Sequence, residues 1–250
     1  MVGTRLEGKV AVLSGGARGM GLAHTRALAN EGARVVSFDI NEGEAPALVD
    51  EFGSDRLLFL KGDVRSGWDW ERIVAAGLER FGSIDVLVNN AGISPIQSLE
   101  SVSEEDYRRV IDINQVGTFL GMQAVLPAMR ERGGSIVNIA STAALVGFPD
   151  IFPYVASKWA VRGMTKAAAL ELAELGIRVN AVCPGDTDTP MIRENIESGA
   201  GGSMPPTDEL PFKRWARAEE ISSAVVFLAS DESSYMSGSE IVVDGAYTAQ

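Results

Sequence analysis

The chain's 250 residues and 26.6 kDa fit one domain of a size that α/β architectures routinely take. Twenty-two Lys and Arg against 34 Asp and Glu leave a net charge of −12, which repels a nucleic-acid backbone and an anionic membrane surface. A single cysteine (Cys183) and a single histidine (His24) exclude an intrachain disulfide, a His/Cys zinc site and, with no G-x-S-x-G elbow present, the usual Ser-His-Asp hydrolase.

The first nine residues lack the apolar core of a secretory signal, and no apolar run approaches the ~18 residues of a membrane span. A cytoplasmic protein without nucleic-acid or membrane partners is expected. Apolar runs at 10–13, 34–39, 57–60, 84–88, 135–139, 177–182 and 240–243 read as seven strands. Their continuous Val/Ile/Leu character suits strands covered on both faces, as in a parallel sheet. Helical spacing fills the gaps. The first helix follows at 19–30. Ser103 caps a second that runs past Asn114 towards Arg130, and Pro153 opens a third that carries Tyr154 through Glu174. Strand-helix alternation implies one doubly wound sheet of about seven parallel strands with helices on both faces.

Residues 186–216 break the pattern, with Gly199, Gly201, Gly202, Pro205, Pro206 and Pro211 in one irregular stretch. Met191, Ile192, Ile196, Met204, Phe212 and Trp215 give it an apolar face, so it reads as a substrate lid with a short helix near 191–197.

After the first strand come Gly15, Gly19 and Gly21, which leave backbone N–H groups bare at a helix N-terminus. Such a cradle attracts a pyrophosphate, although a glycine cluster alone also reads as a tight turn. Asp39 closes the second strand, where an acid can accept hydrogen bonds from both ribose hydroxyls of an adenosine. Its charge would repel a ribose phosphate, which favours NAD over NADP. Arg18 could offset part of that repulsion, so NADP stays open as the second choice.

Tyr154 and Lys158 stand four apart and share one helix face. Alone, the pair reads as a tyrosine beside a surface lysine. An ammonium ~5 Å from a phenol, at an effective dielectric of ~20, would lower the phenol by ~2 pK units and suit it to proton exchange with an alcohol.

Gly15-x3-Gly19-x-Gly21, Asn89-Asn90-Ala91-Gly92, Ser141, Tyr154-x3-Lys158 and Pro184-Gly185 together resemble the short-chain dehydrogenase/reductase family in order and spacing. The likeness covers nearly the whole chain and is strongest to bacterial hydroxysteroid dehydrogenases. It implies a Rossmann-type domain that moves a hydride between a nicotinamide cofactor and a secondary alcohol or ketone. Tyr154 would be the acid-base, and Lys158 would hold the nicotinamide ribose and lower the Tyr154 pKa. Ser141 would hydrogen-bond the substrate oxygen, and Asn114 would bind a water linking Lys158 to solvent. For the cofactor, the resemblance adds Met20, Asp63, Val64, Asn90, Ala91 and Gly92, with Pro184, Gly185, Thr187 and Thr189 over the nicotinamide. It also implies a homotetramer, with Trp159, Val161, Val225, Val226, Phe227 and Leu228 as interface or core.

Ile93, Ile96, Leu145, Val146, Phe148, Ile151 and Phe152, with Met191 from the lid, are candidate substrate walls. Their bulk suits a hydrophobic or cyclic alcohol of steroid or terpenoid type. A ketoacyl-carrier-protein reductase is the alternative; it would need a basic patch, for which Arg108, Arg109, Arg130 and Arg132 are the candidates. A nucleotide-responsive binding protein without turnover has no need of Asn114, Ser141, Tyr154 and Lys158 together. Cys183 is expected to be a buried packing residue.

Overall fold

The computed structural model describes residues 4–197 and 207–249. Seven strands form one sheet: β1 (Val10–Ser14), β2 (Arg34–Asp39), β3 (Leu57–Lys61), β4 (Val86–Asn89), β5 (Gly134–Ile139), β6 (Ile177–Pro184) and β7 (Glu240–Val243). Every neighbouring pair is parallel, in the order β3-β2-β1-β4-β5-β6-β7. The seven expected strands are all present. β4 begins at Val86, two residues later than expected; Asp85, just before it, accepts from the Val10 N–H on its carboxylate at 2.9 Å, and its own N–H donates to the Val10 carbonyl at 2.8 Å.

Eight helices accompany the described strands: α1 (Gly19–Asn30), α2 (Ala45–Phe52), α3 (Gly67–Phe81), α4 (Glu104–Ile111), α5 (Gly117–Met129), α6 (Phe152–Glu171), α7 (Pro190–Glu197) and α8 (Ala218–Ala229). Successive side chains of a strand point to opposite faces. Ala11 and Leu13 of β1 therefore pack with α1, α2 and α8, while Val10 and Val12 pack with α3, α5 and α6. Each fully buried Leu or Phe in these layers contributes about 2 kcal/mol through lost apolar surface. Among the described residues no helix is long and apolar enough to cross a membrane.

Two details differ from the periodicity. Ser103 caps α4 as expected, accepting from the Asp106 N–H at 3.0 Å. The helix then passes through a π-helical turn, Asp112–Val116, before α5 begins, and that turn carries Asn114. At the far end of α6, a 3₁₀ turn at Ala173–Leu175 and Gly176 with φ +66° stop the helix short of Glu174.

The sheet order reverses at β1, whose neighbours are β2 and β4. Chain leaving the carboxyl ends of these two inner strands goes to opposite faces and opens a crevice there, the ordinary ligand position of an open α/β sheet.

Candidate active site

The glycine turn after β1 is built for close approach. Gly15 has φ +70°, and a Cβ on Gly21 would lie 1.9 Å from the Gly15 carbonyl oxygen. With both side chains absent, the start of α1 seats directly on the strand. Arg18 precedes α1 without capping it, and no acid occupies the first turn. The first N–H groups of α1 therefore face the crevice with partial positive charge and no side-chain acceptor. Ser14 Oγ accepts from the N–H groups of Asn90 (3.1 Å) and Ala91 (3.2 Å). Asn90 Nδ2 donates back to the carbonyls of Ser14 and Gly15, both at 3.0 Å. These bonds fasten the loops after β1 and β4 together.

Asp39, half-buried at the tip of β2, accepts from the N–H of Ala17 on Oδ2 and of Asn41 on Oδ1, both at 3.2 Å. Its carboxylate is thus fixed at the edge of the cleft. Trp70 Nε1 donates to the Val64 carbonyl at 3.0 Å, and Arg65 chelates the Asp63 carboxylate, holding it below the usual carboxylate range. One cleft brings together Gly15, Arg18, Gly19, Met20, Gly21, Asp39, Asp63, Val64, Asn90, Ala91, Gly92 and Thr189. A glycine cradle, bare helix N–H groups and a carboxylate at the second strand end fit a nicotinamide dinucleotide. The guanidinium of Arg18 pairs with Glu194 on α7 at 2.6 Å.

A second cavity adjoins the first; Met20, Thr189 and Met191 line both. Ser141, Tyr154, Phe148, Pro184, Gly185 and Thr187 meet there, with Ile96 and Ile151 as apolar wall. Four expected wall residues, Ile93, Leu145, Val146 and Phe152, lie outside this lining. Ile93 lines the glycine-turn cleft instead, with its backbone held to Asn114. Val146 is 39% exposed and touches neither cavity, since its N–H turns back to the Thr142 carbonyl at 3.0 Å. Leu145 packs with Ala140, Ala144 and Val161, and Phe152 is exposed beside Tyr107.

Ser94, Thr142, Asp186 and Asn195 also line the cavity and were not anticipated. Met191 and Asn195 fall four apart on α7, a spacing that marks one helix face. Asn195 Nδ2 donates to the Ser94 carbonyl at 3.1 Å, closing α7 onto the loop after β4. Of the expected lid, Met191 and Ile192 face the cavity, Ile196 and Phe212 are exposed, and Met204 with 198–206 lies outside the described residues.

Tyr154 and Lys158 share a face of α6, with Nζ 5.5 Å from the phenol ring centroid. Lys158 is buried and donates to the Ile139 carbonyl at 2.7 Å; burial brings its ammonium down to about 8. Burial also pushes the Tyr154 hydroxyl up, against a hydrogen bond from Ser141 and with the negative charge of Asp186 adding to the rise. The expected depression of Tyr154 by Lys158 is therefore corrected. The lysine loses its charge near 8, before the phenol ionises, and pair spacing alone carries no information on desolvation.

Asn114 is fully buried in the π turn. Its Oδ1 accepts from the Ile93 N–H at 2.9 Å, and its Nδ2 donates to the Ile93 carbonyl (2.9 Å) and to Ser157 Oγ (3.0 Å). Ser157 Oγ in turn donates to the Tyr154 carbonyl at 2.7 Å. Ser157, which sequence reasoning passed over, thus links Asn114 to the turn bearing Tyr154. Cys183 is fully buried and its thiol is pushed up to about 11 by that burial, as a packing residue should be.

Comparison with known proteins agrees with this geometry. A short-chain dehydrogenase family model described as enoyl-(acyl carrier protein) reductase matches residues 15–248. The chain is 45% identical to trans-4-hydroxycyclohexanecarboxylate dehydrogenase of Sinomonas cyclohexanicum, covering 99% of this chain and 96% of that one. It is 45% identical to 3-alpha-(or 20-beta)-hydroxysteroid dehydrogenase of Mycobacterium tuberculosis (98% and 91% covered). Identity to cyclopentanol dehydrogenase of Comamonas testosteroni is 42% (98% and 99% covered). The crystal structure of levodione reductase superposes with a TM-score of 0.91 at 36% identity, covering 98% of this chain and 99% of that one. The chain belongs to the short-chain dehydrogenase/reductase family.

Proposed function

We propose that this oxidoreductase interconverts a cyclic secondary alcohol and its ketone, with NAD as the cofactor. The observation that carries the reading is the joining of two cavities. The hydroxyls of Ser141 and Tyr154 lie in an apolar chamber that shares Met20, Thr189 and Met191 with the dinucleotide cleft. Nicotinamide, when bound, supplies the two-electron chemistry. The chain supplies position and a proton. Ser141 Oγ would hold the substrate oxygen while Tyr154 Oη exchanges its proton, both groups stabilising charge that develops there. With Tyr154 raised by burial, the neutral phenol dominates at pH 7, the form that donates a proton to a ketone. Lys158 would reach the nicotinamide ribose, and Asn114 with Ser157 would hold the start of α6 in place. The fixed carboxylate of Asp39 supports NAD over NADP.

The relatives named for cyclohexane, cyclopentane and steroid alcohols support a ring-bearing substrate. Nothing favours the carrier-protein alternative, and three of its four candidate arginines pair with acids, Arg108 with Glu104, Arg109 with Asp106 and Arg132 with Asp85, while Arg130 is exposed. A homotetramer is proposed on the exposed Trp159 and Leu170 of α6, Phe119 of α5 and Val242 on the open edge of β7. Val161, Val225, Val226 and Leu228 are core instead, and Phe227 is partly buried against it. A monomer in light scattering would remove the tetramer. A cytoplasmic location is proposed from composition alone. To test the reading, NAD and NADP reduction is followed at the reduced-nicotinamide absorbance band with steroid, cyclic and short linear alcohols. Turnover of cyclic members with NAD is expected; turnover confined to acyl thioesters with NADPH would contradict it.

A further inference from the structure

The substrate cavity carries one formal charge among the described residues, and it is negative. Asp186, directly after Pro184-Gly185, lines the chamber with Ser141, Tyr154 and Phe148. Its backbone is held in place, because the Ala216 N–H donates to the Asp186 carbonyl at 2.9 Å beside the Thr187–Ala216 bridge. Together with Thr142, Asp186 also forms the partition from a neighbouring pocket that contains Arg214 and Tyr247.

Cations near this wall are engaged elsewhere. Arg214 gives both Nη atoms to Glu220, at 2.7 and 2.8 Å, and Lys158 is committed to the Ile139 carbonyl. Arg193 is paired with Asp188. The other polar groups of the cavity are neutral: the hydroxyls of Ser94, Ser141, Tyr154, Thr142, Thr187 and Thr189 and the Asn195 amide. No ion pair or side-chain hydrogen bond is made by the Asp186 carboxylate among the described residues, and Asp186 is half-buried in a chamber whose wall includes Ile96, Ile151 and Phe148. A carboxylate so placed has lost part of its hydration without gaining a donor. Burial accordingly raises its pKa, and its charge raises that of Tyr154, which places the two groups within electrostatic reach.

We infer that Asp186 selects the substrate: it accepts a hydrogen bond from a second hydroxyl on the ring of a neutral cyclic diol or hydroxyketone, and it rejects ring substrates that bear a carboxylate. A hydroxyl suits the site better than an ammonium, because the apolar wall would strip the hydration of a full charge. Two like charges inside one chamber, at an effective dielectric of about 20, weaken binding by roughly tenfold or more. A hydroxyl donating to an ionised acceptor gains a charge-assisted bond instead.

This inference rests on the cyclic-alcohol reading above, and the test separates the two. The probes are cyclohexanol, trans-1,4-cyclohexanediol and trans-4-hydroxycyclohexanecarboxylate. Each is assayed with the wild-type enzyme, with Asp186→Asn and with Asp55→Asn, a charge control exposed at the opposite end of the sheet. In wild type, kcat/KM should fall from diol to cyclohexanol to carboxylate. Asp186→Asn should raise the carboxylate relative to cyclohexanol by roughly tenfold and shrink the diol advantage several-fold. Asp55→Asn should change neither ratio. Equal use of the carboxylate and cyclohexanol by wild type, or ratios unmoved in Asp186→Asn, would overturn the inference. If no probe is oxidised, the cyclic-alcohol reading fails, and Asp186 is then judged by binding to the NADH-loaded enzyme, read from cofactor fluorescence. Carboxylate binding gained only in Asp186→Asn upholds the selection; equal binding by both proteins overturns it.

Discussion

Replacing Asp39 by Asn perturbs cofactor choice with little change of shape. The carboxylate sits at the end of β2, fixed by the N–H groups of Ala17 and Asn41 at 3.2 Å each. A ribose phosphate placed ~5 Å away, at an effective dielectric of ~20, meets a repulsion of about 3 kcal/mol per unit of phosphate charge, or about a hundredfold. Asp39 is half-buried, so water screens part of this, and a gain of tenfold to a hundredfold in NADP over NAD is expected. The substitution also keeps one acceptor oxygen and loses the other. One backbone donor is weakened, at a cost of about 1 kcal/mol, which should lower NAD efficiency several-fold by itself. The assay is kcat/KM for each cofactor at a fixed saturating alcohol, read from nicotinamide absorbance. An unchanged NADP-to-NAD ratio would refute the electrostatic role of Asp39.

Lys158→Met should abolish turnover yet raise stability at pH 7. The folded pKa of about 8 lies below the unfolded value of about 10.5, so the unfolded chain binds more protons between them and stability rises with pH over that window. The variant should gain up to about 3 kcal/mol at pH 7 in urea unfolding, with the difference gone by about pH 10.5; a constant difference across that range would contradict it. Asn114→Ala leaves the Ile93 N–H and carbonyl and the Ser157 hydroxyl without their buried partner, and should cost about 2–4 kcal/mol and several degrees of Tm. Unchanged melting would show that these bonds hold nothing in place.

The sheet was legible because its inner strands are apolar on both faces, which leaves runs such as Val10 to Leu13 without another reading. The glycine turn that opens the cleft was legible for a related reason: Gly15 and Gly21 are demanded by steric contact, and such demands leave a residue pattern in the chain. The π turn at Asn114 left no such trace, since five residues are too few for a shift from i+4 to i+5 bonding to alter hydropathy. Ile93 and Val146 were misplaced because in loops the backbone path, not side-chain character, decides which cavity a residue meets. Asp186 escaped notice likewise, its place depending on how the chain turns after β6. The Tyr154 shift runs against the expectation because burial, a property of the whole packing around α6, outweighs the hydrogen bond from Ser141.

Hydride transfer in wild type and Tyr154→Phe, measured side by side with NAD and a cyclic secondary alcohol, tests the assigned chemistry most directly. Binding of NADH is followed on the same samples by fluorescence. Turnover should disappear in the variant while cofactor binding stays within a few-fold of wild type, because the proposed proton carrier is lost and the glycine cleft proposed for the dinucleotide is untouched. Retained turnover in Tyr154→Phe would mean that the proton moves through another group and that the site described here is not where the reaction occurs.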